Sequence, residues 1–416
     1  MFMVTKYDIF LTLAEKNKPL KIPGILSEFG KRRYEYSNMY RLSLDLINEK
    51  LIIKSRDGLQ IKFSKKSRLL YNIIKYCVAN NINYNYLLDD KLAKFIAKAL
   101  VKVEFSQKDF KNDPKTFKKY VELLFKYGLI IKISNKPFKA RLEWNSLINN
   151  FLEYFEISIP IKKLKEINFI EYINKEVKIF NKYIIKNEKS YNDLMNESEI
   201  SFVHSSLSLE GNPITLPNTI KILKDKIIPK EQRDEDVKEI QNYDISIKEM
   251  LNDSMRGALL NKDKILNFHF LAMKHREDIA GKLRQVSVYI KGNPNFKIAD
   301  WKKINNLLDN LLKEYNNFLS KKRSIKEIIE FSAYFHNQFQ YIHPFIDGNS
   351  RITRLLTFHI LRYFKIPVLD IPLGLLEEYL SYTKGYKKRD DKKLGKIFQL
   401  IVLYNLKIIN ERLKKR

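Results

Sequence analysis

The chain has little cysteine and little histidine. Among its 416 residues there is one cysteine, Cys77, and there are six histidines. A single cysteine excludes a disulfide within the chain and a metal site built from several cysteines. The histidines show none of the spacings typical of zinc ligands. The sequence therefore indicates neither a disulfide framework nor a zinc-binding domain.

The chain also lacks a long apolar run. No uninterrupted stretch approaches the roughly 20 residues of a membrane helix, and residues 1–16 show an amphipathic helical pattern rather than a signal-peptide pattern. With 30% charged and 44% hydrophobic residues, the composition is ordinary for a soluble globular protein, and the length suffices for two or three domains. We therefore expect a cytoplasmic protein with no membrane partner.

Acidic residues are scarce in the first third of the chain. The formal net charge is +29, and residues 1–150 hold 30 Lys and Arg against 14 Asp and Glu, an excess of 16. Such asymmetry favours an acidic partner for this part, with nucleic acid foremost. The alternative is that a lysine-rich composition spreads basic residues along the whole chain.

The segment 343–354, HPFIDGNSRITR, combines several chemically useful residues directly before an amphipathic helical pattern. It therefore predicts a loop that enters a helix N-terminus, where exposed N–H groups favour anions. Neutral His343 suits a general base, and Asp347 offers a hard oxygen to Mg²⁺. Arg351 and Arg354 stand three residues apart on one helix face and suit phosphate oxygens. The pattern indicates nucleotidyl transfer.

This segment closely resembles the signature of Fic proteins, HPFx(D/E)GNGRxxR, whose members transfer AMP from ATP to a hydroxyl of a protein side chain. The resemblance implies that His343 is the catalytic base and that Asp347 binds magnesium. It implies that Gly348 and Asn349 form the anion hole for the α- and β-phosphates. Arg351 would bind the β-phosphate.

Two further positions of the segment belong to the ATP site by the same resemblance. Arg354 would bind the γ-phosphate. Ser350 departs from the family pattern, which has its second glycine there. Serine fits helical dihedrals and caps helices well, but it adds a Cβ close to the expected phosphates.

A second stretch, residues 281–294, predicts a β-hairpin arm. Val286, Val288 and Ile290 alternate with polar residues, and Gly292-Asn293-Pro294 closes the run. The arm resembles the Fic flap, which binds a target segment by strand addition. The resemblance implies target-binding positions in this arm; these are Gly281, Arg284, Val286 and Val288.

Residues 206–212, SLSLEGN, resemble the inhibitory motif (S/T)xxxE(G/N) of many Fic proteins. The motif positions are Ser206, Glu210 and Gly211. The resemblance implies that Glu210 forms a salt bridge with Arg354, because one carboxylate competes with the γ-phosphate for one guanidinium. The pattern is also typical of a helix end closed by glycine at C′, and both interpretations can hold at once.

The region 1–150 contains two similar units, predicted at 1–65 and 66–150. The first shows three helical patterns, the basic cluster Lys31-Arg32-Arg33, and two short strands around Arg56-Asp57-Gly58. The second shows an Asp113-Pro114 helix start and strands flanking residues 135–137. Both resemble winged-helix domains, which bind DNA or serve as protein-interaction or dimerisation modules. Both roles stay open, as does a homodimer.

The predicted fold class is mainly α: an all-helical Fic core over 160–416 with a β-hairpin flap, preceded by one or two small α+β winged-helix domains. His336 is interpreted as a core histidine, and 381–391 as a surface loop. The expected function is an adenylyltransferase that uses Mg²⁺ and ATP on a target protein or on itself. The alternative is a DNA-binding regulator whose Fic core senses nucleotide without efficient catalysis.

Overall fold

The computed structural model describes residues 4–31, 33–102, 104–111, 113–159, 168–184, 188–290, 296–368, 370–381 and 390–415. The chain forms two compact units. Unit 1 comprises residues 1–101 and 144–163, and unit 2 comprises 102–143 and 164–416. Arg32, the turn at 292–294, and most of the loop predicted at 381–391 lie outside the described residues.

Unit 1 is mainly helical with one hairpin. Its elements are α1 (Lys6–Lys16), α2 (Ile22–Glu28), α3 (Tyr36–Asn48), β1 (Ile52–Ser55), β2 (Gly58–Ile61), α4 (Lys65–Ala79), α5 (Tyr84–Leu87), α6 (Asp90–Leu100) and α8 (Ser146–Tyr154). The antiparallel hairpin pairs Ile52 with Ile61 and Ser55 with Gly58. Thr5 and Asp8 form a capping box that starts α1. The predicted order of three helices and a hairpin is present, and the winged-helix interpretation stays a prediction.

Unit 2 begins with a helix and a second hairpin. These elements are α7 (Pro114–Lys126), β3 (Ile130–Asn135) and β4 (Phe138–Leu142). Asp113 caps α7 by accepting from the N–H groups of Lys115 and Thr116, as its pairing with Pro114 predicted. A register irregularity interrupts the antiparallel pairing between Lys132 and Ser134.

The rest of unit 2 is helical in the described residues. Its helices are α9 (Ile170–Ile184), α10 (Glu188–Ser208), α11 (Leu216–Ile220), α12 (Asp234–Met255), α13 (Lys262–Ala272), α14 (Ile304–Leu319), α15 (Ile325–Ile342), α16 (Asn349–Tyr363), α17 (Leu376–Leu380) and α18 (Asp391–Lys415). A mainly helical core agrees with the predicted fold class. In the described part of the chain, no helix is both long and apolar enough to cross a membrane.

The second hairpin packs on the last helix. Lys132 on β3 forms an ion pair with Glu411 on α18 at 2.9 Å, and the ring of Phe125 meets the ring of Tyr404 edge-on at 5.5 Å. The N–H of Gly374 donates to the carbonyl of Gly128 at 2.9 Å. Residues 102–143 and α18 therefore share one core, although the sequence-based ranges separate them; those ranges stay a prediction.

Helix α16 is central to unit 2. Twelve consecutive residues, 351–362, are buried, and α16 contacts α10, α12, α13 and α15. A helix that is buried on all sides can place charged groups only where partners reach them. The predicted core histidine, His336 on α15, is fully buried, and its Nε2 lies 2.9 Å from the Tyr379 hydroxyl.

The flap predicted at 281–294 is described only in part. Residues 281–289 carry no strand, Ile290 takes part in a β-bridge, and residues 291–295 lie outside the described residues. Val286 is exposed and Val288 is half-buried. The flap as a target-binding element therefore stays a prediction.

Candidate active site

The predicted catalytic segment forms a loop between two buried helices. Helix α15 ends at His343, which has the left-handed φ of 48°, and Gly348 caps α16 with φ 76° and ψ 0°. A Cβ on Gly348 would lie 3.1 Å from Met273 Sδ and 3.3 Å from His269 Nε2. Both the backbone conformation and the lack of space therefore require glycine there.

Asn349 closes this loop with its side chain. Its Oδ1 accepts from the N–H of Phe345 at 2.9 Å, and its Nδ2 donates to the Phe345 carbonyl at 2.8 Å. The amide predicted to bind a phosphate is therefore engaged by the loop itself. What Asn349 offers to an anion in this structure is its backbone N–H in the first turn of α16.

His343 and Asp347 lie at opposite ends of the loop. His343 is buried, with 8% of its surface exposed, whereas the Asp347 side chain is about half exposed. Asp347 Oδ1 accepts from the N–H of Gly348 at 2.6 Å. Ser350, the departure from the family pattern, is the second residue of α16 and is half-buried.

Arg351 is buried and paired with an acid that the sequence did not single out. Its Nη1 donates to Glu239 Oε1 on α12, and its Nη2 lies 3.4 Å from Asp347 Oδ1. Its carbonyl accepts from the Tyr243 hydroxyl at 3.2 Å. An arginine with 3% exposure needs such partners, because an unpaired buried charge is costly.

Arg354 contacts both predicted residues of the inhibitory motif. Its Nη1 donates to Glu210 Oε1 at 3.0 Å, its Nε donates to Ser206 Oγ at 2.8 Å, and its Nη2 donates to the Ser206 carbonyl at 2.9 Å. Burial alone would lower the pKa of Arg354, but Glu210 together with Tyr379 and Tyr243 raises that pKa above its ordinary value. The guanidinium is therefore a permanent cation held by residues 206–210.

The segment 206–212 forms the end of α10. After Ser208 the chain turns, Gly211 adopts φ 99°, and the N–H of Asn212 donates to the Leu207 carbonyl at 3.1 Å. This is a helix end closed by a left-handed glycine. The same turn carries Glu210 to Arg354, the contact that the resemblance implied; an inhibitory role of this contact stays a prediction.

Helix α12 links this segment to Arg351. Tyr243 Oη lies 2.9 Å from Ser206 Oγ, and Glu239 Oε2 accepts from Asn212 Nδ2 at 2.7 Å. Glu239 and Tyr243 stand four residues apart and so share a helix face. Sequence reasoning missed both residues, and the one available signal was their i, i+4 spacing on a helix rich in acids.

The predicted target-binding residues differ in exposure. Arg284 is buried rather than presented to a partner: its guanidinium donates to the carbonyls of His343 at 2.7 Å, Ala299 at 2.6 Å and Val286 at 2.8 Å. Its backbone N–H donates to the Pro344 carbonyl at 2.9 Å. Arg284 therefore secures the catalytic loop, while Val286 remains free for contact.

Another residue that sequence reasoning missed is His269 on α13, which is fully buried. Its Nε2 bonds to the carbonyl of Asp347 in the catalytic loop, and its Nδ1 accepts from the N–H of Gly281. Its only sequence signal was a polar residue on the apolar face formed by Ile265, Phe268 and Ala272.

The arrangement suits a polyanion. One loop and one helix N-terminus bring together a histidine, an exposed carboxylate, backbone N–H groups and two arginines, each arginine paired with one glutamate. Two charge-assisted contacts that a phosphate could replace are Arg351 to Glu239 and Arg354 to Glu210. The chemistry that this set supports is proton abstraction beside a bound phosphate chain.

Known proteins share this region. Residues 259–361 match the model of the Fic/DOC family. Two relatives named protein adenylyltransferase Fic, from Drosophila persimilis and Drosophila pseudoobscura pseudoobscura, are each 26% identical over 190 residues, which is 45% of this chain and 36% of theirs. The chain thus spans about a third of the length of these curated relatives.

A solved structure supports the fold. The Fic-domain-containing signaling protein from Bacteroides thetaiotaomicron superposes with a TM-score of 0.50 and 20% identity, covering 59% of this chain and 97% of that one. At that identity the likeness concerns the fold alone. The family-model match at residues 259–361 and the helical core with its loop at 343–348 agree with one another: this part of the chain is similar to domains of the Fic/DOC family.

Proposed function

We propose that this protein transfers AMP from ATP to a hydroxyl of a protein side chain, on a separate target or on itself, and that Glu210 restrains the reaction. The observation that carries the proposal is the contact of Glu210 with Arg354 at 3.0 Å, beside His343 and the anion-binding start of α16. In a nucleotidyltransferase that is restrained in this way, a carboxylate binds an arginine that would otherwise bind phosphate.

In this reaction the hydroxyl oxygen attacks the α-phosphorus of ATP, the bond to the β-phosphate oxygen breaks, and pyrophosphate leaves. Neutral His343 takes the hydroxyl proton. The backbone N–H of Asn349 stabilises the phosphate charge, and the N–H of Gly348 joins it once it exchanges Asp347 Oδ1 for a phosphate oxygen. Arg351 and Arg354 bind the outer phosphates, once each guanidinium exchanges a carboxylate for phosphate oxygens.

Asp347 fits the magnesium ion that this chemistry uses. Its carboxylate is half exposed, and the described residues contain no cluster of three or more histidine, cysteine or acidic side chains that could hold a metal. Mg²⁺ commonly takes one carboxylate and completes its shell with phosphate oxygens and water. When bound, the ion would neutralise phosphate charge beside Asp347.

Restraint follows from competition for Arg354. A charge-assisted contact of this kind is worth about 1.5–3 kcal/mol, so its loss would raise the competent fraction roughly ten- to a hundredfold. The relatives' printed name, protein adenylyltransferase, agrees with the proposed activity. The alternative of a nucleotide-sensing DNA-binding regulator has no comparable support.

The test is AMP transfer with α-labelled ATP and Mg²⁺. Glu210→Gly should increase label in protein about ten- to a hundredfold over the unsubstituted chain. Glu231→Gly, in an exposed loop outside the site, is the matched control and should leave transfer unchanged. Absence of label from all three proteins at saturating ATP contradicts the transferase proposal. Equal labelling of all three contradicts the restraint by Glu210 alone.

A further inference from the structure

His269 bridges two segments that both border the candidate site. Its Nδ1 lies 2.9 Å from the backbone nitrogen of Gly281, and its Nε2 lies 3.0 Å from the carbonyl oxygen of Asp347. Gly281 lies three residues before Arg284, which bonds to the carbonyls of His343 and Pro344 at the start of the catalytic loop. The catalytic loop is thus fixed at residues 342–344 by Arg284 and at residue 347 by His269.

The two partners determine where the imidazole carries its proton. A backbone N–H can only donate, so Nδ1 accepts from Gly281 through its lone pair. A carbonyl oxygen can only accept, so Nε2 carries the hydrogen and donates to Asp347.

The hydrogen bond from His269 to the Asp347 carbonyl also determines the direction of the Gly348 N–H, which belongs to the same peptide group. In a planar trans peptide the C=O and the following N–H point in opposite directions. Because His269 holds the Asp347 carbonyl on the buried side, the N–H of Gly348 points away from it, toward Asp347 Oδ1 at 2.6 Å. That is the side on which the carboxylate and an anion would lie.

The imidazole also supports the loop by packing. Its ring stacks on the ring of Phe345 with centroids 3.7 Å apart and planes 5° from parallel. With Met273, His269 fills the space into which a Cβ on Gly348 would project. The peptide between Asp347 and Gly348 is therefore restrained by one hydrogen bond and by contacts on the same face.

We propose that His269 is a positioning residue for AMP transfer: its Nε2–H fixes the peptide that presents the Gly348 N–H to the nucleotide phosphates, and its Nδ1 ties that peptide to the segment beginning at Gly281. The inference rests on the proposed function for its catalytic readout. Its structural content, the Nε2–H tautomer and the fixed peptide, can be tested without any turnover.

Two substitutions separate the two bonds. A glutamine places its amide nitrogen near the position of Nε2, so His269→Gln can keep the donor to Asp347 and lose the acceptor for Gly281. An asparagine places its amide oxygen near Nδ1, so His269→Asn can keep the acceptor and lose the donor. Both are neutral and polar, and equal thermal unfolding temperatures establish that both are folded to the same extent.

The first measurement is binding of Mg²⁺-ATP to the Glu210→Gly protein, with and without each substitution. His269→Asn should weaken binding about 10–100-fold relative to His269→Gln, the range found when groups that orient metal ligands are removed. The kcat of self-modification should follow the same order. Equal affinity of the two folded variants for Mg²⁺-ATP would overturn the proposal. Tighter binding by His269→Asn than by His269→Gln would also overturn it, because the bond to Gly281 would then be the one that matters.

The second measurement reads the tautomer directly. In a chain labelled with ¹⁵N-histidine, the signals lost in His269→Gln identify His269, and they should show a protonated Nε2 and an unprotonated Nδ1 at pH 7. A protonated Nδ1 would refute the proposed bond pattern. If Glu210→Gly protein transfers no AMP, the proposed function fails, and the binding and tautomer results still decide the role of His269.

Discussion

Glu239 on α12 forms an ion pair with the buried Arg351 on α16, and the second carboxylate oxygen of Glu239 accepts from Asn212 Nδ2 at 2.7 Å. One acid therefore touches both an arginine of the candidate ATP site and the last residue of the segment 206–212. In the resting structure, each of the two arginines, Arg351 and Arg354, is connected to that segment. Restraint of the site would thus involve two guanidinium groups rather than one.

Removal of the Glu239 carboxylate should destabilise the fold. Among the described residues Arg351 would then keep only the 3.4 Å contact to Asp347 as an acidic partner, and breaking one side of a fully buried pair costs about 3–5 kcal/mol. Because the Glu239 side chain is 18% exposed, we expect Glu239→Ala to lower the free energy of unfolding in urea by an amount near the lower end of that range. Glu122→Ala, which breaks an exposed helix pair with Lys118, should change it by less than about 0.5 kcal/mol. Equal effects would show that the Glu239 pair adds no net stability.

Loss of the Ser206 hydroxyl should release part of the restraint. It contacts Arg354 Nε and Tyr243 Oη, and a hydrogen bond of a neutral hydroxyl contributes about 0.5–1.5 kcal/mol. Ser206→Ala should therefore increase AMP transfer roughly 2–10-fold, less than Glu210→Gly does.

Ser208→Ala is the matched control for that variant. Ser208 lies on the same helix, is exposed, and bonds through its side chain only weakly to His204 at 3.3 Å. Its transfer rate should equal that of the unsubstituted chain. Arg354→Ala should fail to activate, because the γ-phosphate contact is lost together with the restraint. A Ser206→Ala rate that equals the Ser208→Ala rate argues against a role of the hydroxyl.

Substitution of His343 should separate chemistry from binding. In the Glu210→Gly protein, His343→Ala should lower AMP transfer about 10²–10⁴-fold, because a general base is removed. Binding of Mg²⁺-ATP should stay within a fewfold, because the phosphate donors are at Gly348, Asn349 and the two arginines. Near-normal transfer by His343→Ala would mean that another group takes the proton.

His359 should make the fold sensitive to acid. It is fully buried, and within the described part of the chain neither of its ring nitrogens has a hydrogen-bond partner. Burial lowers the pKa of His359 to about 4, below its ordinary value near 6.5, so the unfolded chain binds more protons between these values. The stability contribution is therefore complete above pH 6.5 and is lost as the pH falls toward 4.

The variant His359→Phe keeps the ring and removes the titration. Between pH 7 and pH 5 it should lose about 2 kcal/mol less unfolding free energy than the unsubstituted chain. The half-buried His275 gives the comparison, since burial lowers its pKa to a lesser degree, and His275→Phe should flatten the pH dependence less. Parallel pH profiles for the unsubstituted and His359→Phe chains would contradict a buried, neutral His359.

Local patterns predicted the loop and helix at 343–354 and the turn after Ser208, because these features depend on neighbours in sequence. The sequence did not identify Glu239, Tyr243 and His269 as residues of the site, because their partners are 112, 108 and 78 residues away along the chain. The side chain of Asn349 was predicted to bind a phosphate. Its hydrogen bonds to the Phe345 backbone depend on the exact loop conformation, which the sequence does not show. Arg284 was assigned to target binding for a similar reason: no local pattern shows that a cation will be buried under carbonyls.

The packing of residues 102–143 on α18 affects where the chain can be shortened. A fragment that starts near residue 160 keeps the Fic/DOC domain but removes Phe125 from Tyr404 and Lys132 from Glu411. It would also uncover the backbone of Gly374, whose N–H donates to Gly128. Newly exposed apolar surface promotes self-association. Such a fragment is expected to be poorly soluble when expressed, whereas fragments that retain α7, β3 and β4 keep that surface covered.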